Sequence, residues 1–296
     1  MSWPNLSELL QSGDVEAPVG LVGAPLAAGS VTPGRCDLAP ARLRATLRRI
    51  GRYDVETRRE LATIIADHGD VALDGLTIAA ATAPIRAACV ASLRRNALTL
   101  LVGGNNAVTR PGVLAVAEAD ELELDQIGLI TLDAHFDLRD LDAGLGNGNP
   151  VRALREDGLP GRNIAQVGLA PFANSAAMHR DAIDGGHLVV TIGEVRRDGI
   201  AAAMAAAMRH LDHCRAIIVD CDIDVIDRSQ FPAAPGARPG GMSVDDFFAA
   251  VRLLGAESRV RLVDLTEWDP PLDSGDLSAL TAGRWLAELL AGYEAR

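Results

Sequence analysis

Apolar residues run along this chain in short blocks separated by longer stretches of helical periodicity. The blocks at residues 19–22, 98–102, 127–132, 163–167, 187–192, 215–219 and 260–265 are rich in leucine and β-branched side chains and lack strict alternation. They predict strands covered on both faces. The stretches at 39–50, 78–95, 110–119, 151–156, 200–211, 244–254 and 278–294 predict helices. Asp245 and Asp246 fall in the first turn of one, where carboxylates suit the helix dipole. Strand and helix alternating in this way predict a mainly parallel sheet with helices on both sides. The stretches richest in glycine and proline, 23–34, 144–150 and 232–241, punctuate elements rather than divide the chain. With no internal repeat or low-complexity linker, residues 1–296 are expected to form a single domain.

Charge and cysteine usage narrow the function classes. The 28 basic and 40 acidic side chains give a net charge of −12. That balance argues against sequence-independent nucleic-acid binding, which needs clustered cations, and it leaves many carboxylates for hard cations. Cys36, Cys89, Cys214 and Cys221 are scattered and form no CxxC pair, so zinc–thiolate and dithiol redox readings have little support. Buried, reduced thiols in a cytoplasmic protein are expected instead. The opening residues, Met1 to Glu8, lack the basic segment and apolar core of a signal peptide. No run of about 18 apolar residues predicts a membrane span. The expectation is a cytoplasmic protein with a small-molecule substrate and neither a nucleic-acid nor a membrane partner.

In open parallel sheets ligands bind outside the carboxyl ends of the strands, so the residues after each apolar block carry the functional information. Gly103-Gly104-Asn105-Asn106 follows one block and Asp133-Ala134-His135-Phe136-Asp137 another. A third is followed by Asp220-Cys221-Asp222-Ile223-Asp224 and a fourth by Thr266-Glu267-Trp268-Asp269. Four strand ends thus deliver polar or ionisable groups to one rim.

If the strand continues through Asp133, His135 and Asp137, its period of two aims all three side chains at one face. Two carboxylates and an imidazole crowded together repel and desolvate one another unless a cation compensates them. Mn²⁺ or Zn²⁺ suits mixed oxygen and nitrogen donors, and the lack of thiolates favours Mn²⁺. The competing reading is a solvated acidic turn capping the next helix. Asp220, Asp222 and Asp224 share the same alternation, with Asp227 three residues further on. Alone, that run equally suits Ca²⁺ or a helix cap, although the glycine and terminal glutamate of an EF-hand are missing. Two acidic runs at the ends of two parallel strands point to metal. A water bridging two ions loses a proton easily and attacks an electrophilic carbon at neutral pH. Glu267 is a candidate to hold a cationic substrate group by a charge-assisted hydrogen bond; the alternative is a cap or surface carboxylate. His179, His187, His210 and His213 have no carboxylate at ligand spacing and read as structural or solvated.

These residues together resemble the ureohydrolase superfamily of arginase, agmatinase, guanidinobutyrase, formimidoylglutamase and their relatives. Gly34 to Arg44 looks like the family's N-terminal glycine-to-arginine loop and helix, and Asp67-His68-Gly69-Asp70-Val71 like its DxGDV segment. Gly103 to Asn106 falls where the family writes GGDH, Asp133 to Asp137 matches DAHxD, and Asp220 to Asp227 matches the DxDxxD part of the second metal motif. Thr266 to Pro270 is similar to the late E-x-x-P segment. The resemblance implies an arginase-like three-layer α/β/α sandwich around a mainly parallel sheet of about eight strands, a homo-oligomer (trimer or hexamer), and two Mn²⁺ ions. It casts Asp133 and Asp222 as ligands bridging both ions, with His135 and Asp224 completing one site. Asp137 serves the other and steers the bridging hydroxide, and Glu267 faces the guanidinium or formimidoyl group.

The chain departs from the family pattern at two places. Asn106 stands where GGDH has its histidine ligand, and a neutral amide oxygen is the weaker donor for Mn²⁺, so one of the two ions is expected to bind less tightly. Asn147 stands where arginases and agmatinases carry a catalytic histidine, which formimidoylglutamases lack. The resemblance therefore implies manganese-dependent hydrolysis of formimidoylglutamate to glutamate and formamide in amino-acid catabolism. Asn147, Asn149 and Arg152 are candidates for a substrate carboxylate; Arg152 also reads as a surface helix residue. Alternatives are an agmatinase, arginase or guanidino-acid hydrolase giving urea, a single-metal amide hydrolase or deacetylase, and a non-catalytic relative.

Overall fold

The structure, a computed structural model, describes residues 3–13 and 15–296; Met1 and Ser2 of the opening segment and Asp14 lie outside the described residues. In chain order the strands are β1 (Leu10–Ser12), β2 (Val19–Ala24), β3 (Tyr53–Asp54), β4 (Arg59–Glu60), β5 (Ile65–Asp70), β6 (Leu98–Gly103), β7 (Ile127–Leu132), β8 (Ile164–Leu169), β9 (Leu188–Thr191), β10 (Ala216–Asp222) and β11 (Val260–Thr266). The helices are α1 (Ala39–Thr46), α2 (Ile78–Leu93), α3 (Thr109–Ala119), α4 (Pro150–Asp157), α5 (Ala176–Asp184), α6 (Ile192–Asp198), α7 (Ile200–His210), α8 (Val244–Ala256) and α9 (Leu277–Tyr293).

Nine strands form one sheet in the order β1-β5-β2-β6-β11-β10-β7-β8-β9, with every pair parallel, while β3 and β4 make a small antiparallel ribbon. Strands β2, β6, β7, β8 and β10 are buried at every position, which is why they read as continuous apolar blocks. Successive side chains still go to opposite layers. Ile127 and Leu129 of β7 pack with α2, α3 and α4 residues, whereas Ile130 and Leu132 pack with the layer that holds α1, α7, α8 and α9. The three layers follow from that split, and the sheet has nine strands rather than about eight.

Two sheet strands escape the apolar pattern for identifiable reasons. Strand β1 is three residues long with no buried side chain, and the second half of β5 is Asp67-His68-Gly69-Asp70. That polar half is held by Arg44 of α1, whose Nε and Nη2 each lie 2.8 Å from an Asp67 oxygen and whose Nη1 lies 2.5 Å from Asp70. The motif resembling DxGDV is thus a clamp between sheet and helix. Helices α5 and α6 were not expected either: α5 buries only Ala182, and α6 is seven residues long. The predicted acidic first turn of α8 is present, with Ser243 capping the Asp246 amide.

The sheet order determines where a site can form. The chain leaves β6 for β7, and the gap between them is filled later by β10 and β11. The carboxyl ends of β6, β11, β10 and β7 are therefore neighbours at the point where the winding reverses, the place where α/β sheets open a crevice.

Candidate metal and active site

Strand β7 ends at Leu132, so Asp133 to Asp137 form a loop and not the strand continuation expected from their alternation. What brings the side chains together is a set of local hydrogen bonds. Asp133 Oδ1 accepts from the His135 amide at 2.6 Å. Asn174 braces the loop from outside, accepting from the Phe136 amide at 2.9 Å and donating to the Ala134 carbonyl at 2.9 Å. Asp137 has φ +52°, a left-handed conformation that costs a non-glycine residue about 1–2 kcal/mol and turns its carboxylate inward.

Strand β10 supplies the facing group. Asp222 ends the strand, accepts from the Asp224 amide at 3.0 Å, and so folds Asp224 back into the cavity. His135 Nδ1 then lies 3.0 Å from Asp224 Oδ2 and 3.5 Å from Asp133 Oδ1. One ligand atom from each of Asp133, His135 and Asp224 lies within 4.8 Å of the others. The loop after β10 must be glycine where it crosses this cluster, because a Cβ on Gly236 would sit 2.0 Å from Asp224 Oδ2.

The charges suit a bound cation. Burial raises Asp133 to about 6, opposed by its bonds to His135, and burial together with Asp133's charge holds Asp137 well above the usual carboxylate range. Burial also raises Asp222, with Asp224 and Asp133 adding to it. Burial pulls on His135 in the opposite direction, but Asp224 and Asp133 outweigh it and raise the imidazole to about 12. Burial likewise disfavours ionised Asp224, yet the His135 charge keeps it below the usual range. An imidazole so raised is a countercharge to the carboxylates within the cluster. Asp133 Oδ2 is buried without a partner, and a buried orphan oxygen among acids is a donor position open to an ion.

Glu267 follows β11 with φ +61° and is fixed by its amide donating to the Gly104 carbonyl at 2.9 Å. Its Oε1 accepts from the Asn106 amide at 2.8 Å and from Asn147 Nδ2 at 2.9 Å. Oε2 has no hydrogen-bond partner among the described residues. Burial raises the carboxyl to about 7 against those two bonds.

The other candidates fall into place around this pair. Asn106 is fully buried; Nδ2 donates to Asp137 Oδ2 at 2.6 Å, while Oδ1 accepts from the hydroxyls of Thr109 at 2.8 Å and Thr266 at 3.2 Å. Asn147 links Glu267 to the Val31 amide, which donates to its Oδ1 at 2.8 Å. Asn149 is spent within its own loop, on the Gly146 amide and the carbonyls of Asp140 and Gly144, and does not line the cavity. Arg152 is closed on Asp181 at 2.6 Å. Asp227 accepts from the Ser229 and Gly240 amides in a turn. Asp220 lies in register with Asp264 of β11, both fully buried. Burial and the mutual charge raise Asp220, and burial raises Asp264 to about 7. The two carboxyls are register neighbours on adjacent strands, Asp220 has no other donor among the described residues, and their burial favours the protonated forms.

Of the remaining imidazoles, His187 is buried against Gln166 and lowered to about 4 by burial and by Arg155. His179 stacks on Phe136, and His213 bonds Asn163. All four cysteines are buried and unpaired. Among the described residues no helix is long and apolar enough to cross a membrane.

The cavity over the cluster encloses about 310 Å³ and is lined by His135, Asp137, Asp222, Asp224, Asn147 and Glu267 among others. Its wall also holds Asn174, Arg139 and Arg238, which sequence reasoning did not single out. Asn174 lies in a loop with no ionisable group to mark it, and neither arginine sits in a recognisable motif.

The Arginase family model matches residues 17–292. The chain belongs to the arginase family. As a member, it is 32% identical over 279 residues to a formimidoylglutamase of Halalkalibacterium halodurans, covering 92% of this chain and 86% of that one. It is 27% identical over 287 residues to a formimidoylglutamase of Bacillus subtilis, covering 95% and 88%. The crystal structure of formimidoylglutamase from Bacillus subtilis superposes with a TM-score of 0.92 at 26% identity, over 99% of this chain and 92% of that one. A Trypanosoma cruzi formiminoglutamase crystallised with Mn²⁺ shares the fold at a TM-score of 0.90 and 23% identity, over 99% of both chains. The arginase-like architecture expected from the motifs is the one this family member has.

Proposed function

We propose that this arginase-family chain is a manganese-dependent hydrolase of formimidoylglutamate, releasing glutamate and formamide. The observation that carries the reading is Glu267. Its Oε1 is held by two neutral donors, the Asn106 amide and Asn147 Nδ2, beside the acidic cluster. That leaves Oε2 for a planar cationic N–C–N group, with which a carboxylate forms charge-assisted hydrogen bonds. The family relatives named above add the amino-acid half of the substrate.

The donor set fits the metal: oxygen and nitrogen ligands, no thiolate, and an orphan carboxylate oxygen at Asp133. Asp133, His135, Asp222 and Asp224 would hold one ion, and Asp137 with Asn106 would share a second, weaker one with the bridging carboxylates. When bound, Mn²⁺ supplies a nucleophile from water at neutral pH. The chain's own residues do the rest. Glu267 orients the amidinium so that its central carbon faces the cluster. Asp137, at the edge of the cluster, would take the proton of the attacking water and hand it to the departing glutamate nitrogen. The oxygen of water bonds to the amidine carbon, the bond from that carbon to the glutamate nitrogen breaks, and the amine leaves with the proton. Asn147 keeps Glu267 in register rather than carrying a proton itself.

The test is a Mn²⁺-supplemented screen of formimidoylglutamate, arginine, agmatine and guanidino acids, with formamide, glutamate and urea quantified. Turnover of formimidoylglutamate with release of formamide is expected. Urea from arginine or agmatine, with no formamide, would overturn the reading. We further propose that residues 1–296 form a single domain in a cytoplasmic homo-oligomer, trimer or hexamer. The family resemblance supports the assembly, and a monomer mass by light scattering would exclude it.

A further inference from the structure

The cavity presents a problem of charge. Four carboxylates line it: Asp137, Asp222 and Asp224, which would hold the ions, and Glu267, which is left for the cationic amidine end of a substrate. None of the four can take the two carboxylates of a glutamyl group. The two side-chain amides in the lining are already engaged, Asn147 on Glu267 and Asn174 on the Ala134 carbonyl, which leaves only the uncharged hydroxyls of Thr32 and Ser175 beside the cations. Besides His135, the cations lining the cavity among the described residues are Arg139 and Arg238.

Among the described residues, both guanidinium groups lack an acidic partner. Arg139 makes no side-chain hydrogen bond or ion pair among the described residues. Among the described residues Arg238 donates only to backbone carbonyls, of Gly236 at 2.8 Å and Ala237 at 3.4 Å. The contrast is with Arg152 and Arg155, which are both closed on Asp181. The two free groups also come from different loops. Arg238 is anchored on Gly236, which abuts Asp224 and His135, while the shaft of Arg139 packs over Gly148, next to the Asn147 that holds Glu267. They therefore approach the cavity from its two chemical sides. Arginine's planar fork suits a carboxylate, and its charge persists at any physiological pH.

We infer that Arg139 and Arg238 form a dicarboxylate clamp, each taking one carboxylate of the substrate and together selecting a diacid on the amidine nitrogen. The inference rests on the formimidoylglutamate reading for the identity of the diacid. It assigns specificity to two exposed arginines rather than to the asparagines of the loop at 144–150.

The experiment compares kcat/KM for N-formimidoyl-L-glutamate with two analogues, each lacking one carboxylate: N-formimidoyl-4-aminobutyrate and N-formimidoyl-L-norvaline. Arg139→Gln and Arg238→Gln are each expected to lower kcat/KM on the diacid about 10- to 100-fold, mainly through KM, the loss of one charged hydrogen-bond pair. Each variant should also erase the preference for the diacid over one analogue, a different analogue for each arginine. Lysine at either position should restore part of the preference, having the charge without the fork. An equal loss on all three substrates, or no loss, overturns the clamp. Calorimetric titration with glutarate reads the same clamp without turnover: binding to the parent and weakened binding to both variants are expected. Arginine-dependent glutarate binding without formimidoylglutamate turnover would refute the proposed activity and leave the clamp standing. Turnover with glutarate binding unchanged in both variants would do the reverse.

Discussion

The two sides of the acidic cavity are built from different chemistry, although His135 and Asp137 are only two residues apart. On the first side, Asp133 and Asp224 share one imidazole, and an Asp133 oxygen has no partner. On the second, neutral donors answer each carboxylate: Asn106 Nδ2 for Asp137, and the Asn106 amide and Asn147 for Glu267. The difference comes from the neighbouring strand ends. Strand β10 brings another acid to the first side, whereas β6 brings an amide to the second. A cation entering the first side displaces protons, that of His135 and that favoured on the buried Asp222 carboxyl. One entering the second must break a buried hydrogen bond to a carboxylate, worth about 1.5–3 kcal/mol. The proposed ions should therefore be unequal, and the side with the charge surplus should fill first.

Removing an acid common to both sides should have the largest effect. Asp222→Ala, or Asp133→Ala, takes away a proposed bridging carboxylate. Several kcal/mol of transition-state stabilisation depend on the metal site, so kcat/KM should fall by about a thousandfold or more, together with loss of the rise in Tm on adding Mn²⁺. Activity within about tenfold of the parent would rule out a bridging role, since an effect that small is under about 1.4 kcal/mol.

A pH titration separates the sides next. His135 is raised from 6.5 to about 12, against burial, by Asp224 and Asp133. The stability it gives the ion-free protein is therefore complete below pH 6.5 and declines as pH rises towards 12. Mn²⁺ binding at the first side runs the other way, because the ligand is the neutral imidazole and one proton must leave. Affinity there should gain about tenfold per pH unit from this group, hence about a hundredfold from pH 6 to 8. Calorimetry in buffers of different ionisation enthalpy counts the protons released, and His135→Asn should lower the count by about one. An unchanged count would show that His135 is not displaced from its proton by the ion.

The same contrast accounts for how much of the molecule was legible in the sequence. The blocks at β6, β7, β10 and β11 were readable because strands buried on both faces leave continuous apolar runs, and the acids after them stood out against that background. The convergence of Asp133, His135 and Asp224 was legible too, but for a different reason than the one realised. A strand period was expected, and a loop held by the Asn174 amide brings them together. Asparagines carry no such signal. Nothing in the string Asn147-Gly148-Asn149 says that the first amide reaches Glu267 and the second closes its own loop. Arg139 and Arg238 were likewise invisible among 28 basic residues, because what distinguishes them is the absence of an acid partner, a property of the fold. Strand β5 was missed because Arg44 compensates its carboxylates, letting polar residues occupy a sheet position.

The smallest effect should come from making the two sides alike. In Asn106→His the neutral amide is replaced by an imidazole, the stronger donor for Mn²⁺. The side chain lies between Asp137 and the hydroxyls of Thr109 and Thr266. Hydroxyls both donate and accept, so those two threonines can support an imidazole nitrogen as well as an amide oxygen. The histidine also removes the Nδ2 bond that now ties up Asp137 Oδ2, freeing that oxygen for the ion. Both changes act on the second side alone. The weaker Mn²⁺ constant should tighten about tenfold, in the range by which single metal-site partners change affinity, while the stronger constant stays put. Equilibrium metal titration of the two proteins measures both. A shift in the stronger constant would place Asn106 against the wrong ion. No shift in either would put its side chain outside the metal shell, and the asymmetry of the cavity would then rest on Asp224 and His135 rather than on the amide.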